Sequence, residues 1–139
     1  MTDDVLLAKL ANIQHALQRI RNVTGGDPDA IDDIDVQDIV VLNLQRAIQA
    51  AIDLASWYIS RNRLGLPETL KAHFALLQNN GVIDPALGRN LEAMVGFRNI
   101  AVHEYQQLDP DIIKNILRNH LTDLETFAEQ IKKQARDRE

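Results

Sequence analysis

The residues of this chain best suited to chemistry lie between Asp84 and Tyr105. Arg98, Asn99, His103 and Tyr105 fall within about two turns of a helix. Imidazole titrates near neutrality, so His103 can take the proton of a ribose 2′-hydroxyl. A guanidinium can hold two phosphate oxygens and offset charge in a transition state, which suits Arg98. Together these groups can bind and cleave a phosphodiester without a metal. Helical spacing constrains how they meet. Arg98 and His103 are five residues apart, about 140° around an ideal helix, so they do not point in parallel. Arg98 and Tyr105, seven apart, are nearly eclipsed on a continuous helix. Asn99 and His103 share the adjacent face, and Gly96 lies on it too. Arg98 also interrupts an apolar stripe of Leu87, Leu91, Met94, Ala101 and Tyr105, where its charge needs a partner or water. Glycine inside a helix costs roughly 1 kcal/mol against alanine, and close approach of another backbone or a ligand at Gly96 would offset that. A purely structural reading fits the same spacing: a buried, ion-paired arginine and a helix-capping histidine. Spacing alone leaves both open.

The elements that position this stretch read as helices almost throughout, from apolar residues recurring at three and four. A first helix is expected over about Asp3–Asn22, with Thr2 as a cap, broken by Thr24-Gly25-Gly26-Asp27-Pro28. A long second helix runs from near Asp35 to about Arg63, where Gly65 and Pro67 end it. The third covers about Pro67–Asn79. Asp84-Pro85 and Asp109-Pro110, each a capping aspartate followed by proline in the first turn, open a fourth helix to about Tyr105 and a fifth to about Lys133. Residues 134–139 read as a charged, frayed tail. No alternating strand pattern appears. The expected fold is all-α, an up-and-down bundle of about five helices in one domain.

The block Arg98-Asn99-Ile100-Ala101-Val102-His103-Glu104-Tyr105 resembles the signature of the HEPN superfamily, and the tyrosine two positions past the histidine is similar to its HepT-like branch. Val41-Leu42-Asn43-Leu44-Gln45-Arg46, the Leu66-Pro67 helix start, Leu76-Leu77-Gln78-Asn79-Asn80 and Met94-Val95-Gly96 resemble that branch as well. The resemblance covers most of the chain and departs at no motif position. It implies the ribonuclease toxin of a type II-like or type VII toxin–antitoxin pair, a metal-independent endoribonuclease. It implies a homodimer in which Arg98 and His103 of both copies line one cleft, with Asn99 in support. It also implies an MntA-like nucleotidyltransferase antitoxin that adds AMP to the tyrosine matching Tyr105 and so silences the toxin. Added phosphates there would place negative charge where RNA phosphates must bind. Two other readings stay open: a non-catalytic HEPN module that binds nucleotides or its nucleotidyltransferase, and a plain helical dimerisation protein.

Composition agrees with a helical domain and excludes several other classes. The chain has 139 residues, enough to bury a core without staples. It is 45% hydrophobic but only 4% aromatic, and its apolar set is rich in helix-forming Leu and Ala. With no cysteine, disulfides and thiolate metal sites are excluded. His15, His73, His103 and His120 show no metal-ligand spacing, and no cofactor is expected. No segment is apolar enough to span a membrane, and Met1-Thr2-Asp3-Asp4 is not the basic start of a signal peptide, so the cytoplasm is the expected location. The net charge of −5 sits wholly in residues 1–38, mainly in the Asp27–Asp38 run, which reads as a solvated loop with capping aspartates. Residues 39–139 are neutral overall, and RNA binding needs only a local basic patch. Arg61 and Arg63 suit the end of the long helix, and Trp57 and Tyr58 suit core or dimer contacts.

Overall fold

The computed structural model describes residues 3–137. It contains α1 (Asp4–Thr24), α2 (Ile34–Arg61), α3 (Leu70–Asn79), α4 (Pro85–His103), α5 (Pro110–Asn119) and α6 (Leu121–Asp137), with 3-10 turns at Pro28–Asp32 and Tyr105–Gln107. Among the described residues there is no strand, and the all-α bundle holds with six helices where about five were expected.

Side-chain caps decide where the helices begin. Asp3 accepts from the Val5 N–H at 2.7 Å, Asp84 from Leu87 at 2.8 Å and Asp109 from Asp111 at 2.9 Å. Each satisfies a backbone donor that has no partner inside the helix. Pro85 and Pro110 follow their caps, as the sequence predicts. The cap expected at Thr2 lies outside the described residues. α3 starts at Leu70 rather than Pro67, because Thr69 supplies the capping oxygen, 3.1 Å from the Ala72 nitrogen. The last expected helix divides at His120, whose backbone leaves helical values (φ −127°, ψ −3°). Its Nδ1 lies 2.8 Å from Asp123 Oδ2, and Asp123 also accepts from Asn90 of α4 at 3.2 Å. A polar tie to α4 therefore fixes the bend. At the far end α6 runs on to Asp137, through the start of the expected tail, and Arg138 and Glu139 lie outside the described residues.

α1 and α2 form the most extensive packed pair, with α3, α4 and α6 also packed on α2. Ile13, Leu17 and Ile20 of α1 bury against a core that includes Leu44, Ile48 and Leu54 of α2, Val95 of α4 and Phe127 of α6. Phe74 and Phe127 meet edge to face, centroids 5.5 Å apart. Each such side chain contributes about 1.5–3 kcal/mol on burial. The exposed ion pairs, such as Arg21 with Glu125, contribute at most about 1 kcal/mol each. Apolar burial therefore holds the bundle. Of the two glycines of α4, Gly88 is the more crowded, since a Cβ there would collide with the end of the Gln78 side chain of α3.

The acidic run is mostly used up locally. Asp27 caps the first 3-10 turn and Asp33 caps α2. Asp29 and Asp32 both pair with Lys114 of α5, at 3.2 and 2.9 Å. The run therefore ties the α1–α2 connection to α5.

Candidate active site

α4 carries the arginine and histidine and stops between them and the tyrosine. Glu104 leaves the helix (φ −142°, ψ 50°) while its N–H still donates to the Ile100 carbonyl at 2.7 Å. His103 is thus the last helical residue, and Tyr105 begins the second 3-10 turn. The stacking of Tyr105 over Arg98 expected for a continuous helix does not apply, because the turn at Glu104 redirects the chain.

Arg98 is half-buried, and its Nη1 donates to Asn99 Oδ1 at 3.2 Å. Among the described residues no carboxylate forms an ion pair with it, so the buried ion pair of the structural reading is not formed, and the half-exposed guanidinium reaches water instead. Its guanidinium instead borders a groove of about 510 Å³ between α1, α2 and α4. Arg98 and Val102 of α4 face Arg46 and Gln49 of α2 and Lys9 and His15 of α1 across this groove. Lys9 is neutralised by Asp53 at 2.9 Å, an oxygen pair to which Gln49 also donates. Arg46 and Arg98 remain uncompensated among the described residues, a local positive patch on a chain of net charge −5. Such a patch suits phosphate.

Asn43 was not singled out by its type in the sequence. It lies in the same groove, is only 2% exposed, and donates to the Ile39 carbonyl at 2.8 Å, while its Oδ1 has no hydrogen-bond partner among the described residues. An asparagine on the buried face of a helix was the available signal.

His103 is exposed, and its imidazole makes no hydrogen bond among the described residues, unlike the rings of His73 and His120. It does not line the groove that Arg98 lines. One chain therefore brings Arg98 and Asn99 together and leaves His103 at the open end of α4. Gly96 meets only the flexible end of Lys71, 3.5 Å from where a Cβ would stand, so the close approach expected there is not supplied by this chain's backbone. Tyr105 is half-buried, and its hydroxyl donates to Asp38 of α2, 67 residues away in sequence. Burial, then the hydrogen bond and charge of Asp38, lift that hydroxyl above its ordinary value of 10.0. Elsewhere, Arg61 stacks over Trp57 at 5.3 Å and pairs with Asp3, while Tyr58 is fully buried, so these residues serve packing. Among the described residues no cluster of three or more His, Cys, Asp or Glu is placed to hold a metal.

A family profile described as Ribonuclease HepT-like matches residues 13–131, the greater part of the chain and all of the Arg98–Tyr105 block. The chain belongs to the HepT-like ribonuclease family. This HepT-like chain is 41% identical over 130 residues to the mRNA nuclease HepT of Shewanella oneidensis, covering 94% of the present chain and 98% of that one. It is 31% identical over 83 residues to the tRNA nuclease HepT of Aphanizomenon flos-aquae, covering 60% of this chain and 56% of that one. Its fold superposes on a solved structure of the tri-AMPylated Shewanella oneidensis HEPN toxin in complex with MNT antitoxin, with a TM-score of 0.89 and 40% identity over 95% of this chain and 99% of that one. No helix among the described residues is long and apolar enough to cross a membrane.

Proposed function

We propose that this HepT-like chain is the ribonuclease toxin of a toxin–antitoxin pair, a cytoplasmic single-domain endoribonuclease silenced by a nucleotidyltransferase antitoxin. The observation that carries the reading is the uncompensated guanidinium of Arg98 on a basic groove, five residues before an unengaged imidazole, in a family of ribonucleases. Arg98 holds the scissile phosphate and offsets the charge that grows on it. Asn99, already bonded to Arg98, keeps the guanidinium oriented. His103 takes the proton of the 2′-hydroxyl, whose oxygen attacks the phosphorus and expels the 5′-oxygen of the next nucleotide. No metal takes part.

Within one chain His103 stands outside the groove, which supports a site completed by a second copy. In a homodimer, with α4 of each copy facing the other, the histidine of one copy can serve the groove of its partner. Exposed Ile100 and Val102 on α4 give such a face apolar surface to bury. The partner that silences the enzyme is an MntA-like nucleotidyltransferase, and Tyr105 is the residue it modifies with AMP. Support comes from the position of Tyr105 two residues past His103 and from the tri-AMPylated state of the structural relative. Each added AMP carries about one negative charge, which competes with RNA phosphate for Arg98.

Induced expression in a bacterial host tests this reading. Wild-type protein should arrest growth and degrade RNA, co-expression of the nucleotidyltransferase should relieve both, and His103→Ala should be harmless. Arrest by His103→Ala at equal protein level would reject the catalytic assignment.

A further inference from the structure

The hydroxyl of Tyr105 is engaged, and its partner is unusual. Of the acidic run, Asp27 and Asp33 cap helices and Asp29 and Asp32 pair with Lys114. Asp38 does neither. Its Oδ1 accepts the hydrogen bond of Tyr105 Oη, and its own side chain is exposed to solvent. The tyrosine ring packs against the core edge, on a 3-10 turn that holds it in place.

We propose that Asp38 is the base that accepts the Tyr105 proton when a nucleotidyl group is transferred to that hydroxyl, so that the toxin supplies part of the machinery for its own modification. The inference rests on the reading of Tyr105 as the acceptor. In the step, Tyr105 Oη attacks the α-phosphorus of a nucleoside triphosphate held by the nucleotidyltransferase. The Oη–P bond forms, the bond from that phosphorus to the bridging oxygen breaks, and pyrophosphate leaves with the electron pair. The phenolic proton moves along the existing hydrogen bond to Asp38 Oδ1 and from there to water, which the exposed carboxylate reaches.

A base is needed because the phenolate is scarce. An ordinary phenol is ionised only about one part in a thousand at neutral pH. Burial and the neighbouring carboxylate make the Tyr105 phenolate scarcer still. A carboxylate is too weak a base to remove this proton beforehand, but it can accept it as the O–P bond forms. Protein kinases use an aspartate on a substrate hydroxyl in this way. Asp38 is also in place before any partner arrives, so the geometry costs nothing to assemble on encounter.

The test measures AMP addition to the full-length protein by intact mass spectrometry, with purified nucleotidyltransferase, ATP and magnesium, at varied toxin concentration. Asp38→Asn keeps an oxygen that can accept the hydrogen bond but cannot take the proton. It should lower kcat for the first addition by at least about 100-fold with KM unchanged. Asp38→Glu should restore a large part of the loss. Circular dichroism checks that both variants fold, as expected for an exposed position. Addition to Asp38→Asn at the wild-type kcat would overturn the role of Asp38 and leave Tyr105 as acceptor. A loss confined to KM, or no recovery with Asp38→Glu, would also overturn it. Absence of any addition to wild-type Tyr105 would overturn the acceptor reading and this inference with it.

Discussion

Replacing Arg98 by alanine separates the two roles an arginine can have in a helix. In the structure its one side-chain hydrogen bond is to Asn99, 3.2 Å away, and it has no carboxylate ion pair among the described residues. Losing that bond costs about 0.5–1.5 kcal/mol. At roughly 4 °C per kcal/mol for a domain of this size, the melting temperature should fall by no more than about 6 °C. Loss of a donor that stabilises the charged transition state costs far more, about 2.7–4 kcal/mol, or 100- to 1,000-fold in rate. Arg98→Ala should therefore remain folded at assay temperature and still cleave RNA at least about 100-fold more slowly. Arg98→Lys should recover only part of the rate, since lysine keeps the charge without the two-pronged fork. Initial cleavage rates on a fluorogenic RNA, paired with thermal melts by circular dichroism, give both quantities. A variant that melts more than about 12 °C lower, or one that cleaves at the wild-type rate, would refute the argument and return Arg98 to a structural role.

Other outcomes follow from the same geometry. Light scattering should find a dimer at micromolar protein, because His103 lies outside the groove within one chain, and a stable active monomer would contradict the composite cleft. Cleavage should survive EDTA and leave a 2′,3′-cyclic phosphate end, and a strict need for divalent metal in the cleavage step would contradict the histidine mechanism. Tyr105 has a raised value in the folded state, so its contribution to stability is complete below pH 10.0 and is lost as pH rises through the raised value. Urea melts of wild type and Tyr105→Phe should therefore differ by a constant amount below pH 10.0 and converge above it, and a difference that grows with pH would be the wrong sign.

Much of the fold was legible because caps and prolines are local signals. Asp84-Pro85 and Asp109-Pro110 marked two helix starts that the structure places at the same residues. The split at His120 was not legible, since it depends on Asp123 meeting Asn90 from another helix. The Arg98–Tyr105 block was visible as a motif, but helical geometry applied only as far as His103. The departure of Glu104 from the helix moved Tyr105 toward α2, and its bond to Asp38 spans a distance in sequence that no periodicity reports. The groove was hidden for the same reason. Lys9, Arg46 and Arg98 come from three helices, and only packing puts them around one space. Asp38 sat unnoticed among aspartates whose usual work is capping.

The central claim is that this chain cleaves RNA with Arg98 and His103 and is silenced through Tyr105. The most direct measurement is a cleavage assay on total RNA with three preparations of purified protein: wild type, His103→Ala, and wild type carrying AMP on Tyr105. The account predicts cleavage by the unmodified wild type alone. Cleavage by His103→Ala at the wild-type rate, or undiminished cleavage by the modified protein, would contradict it.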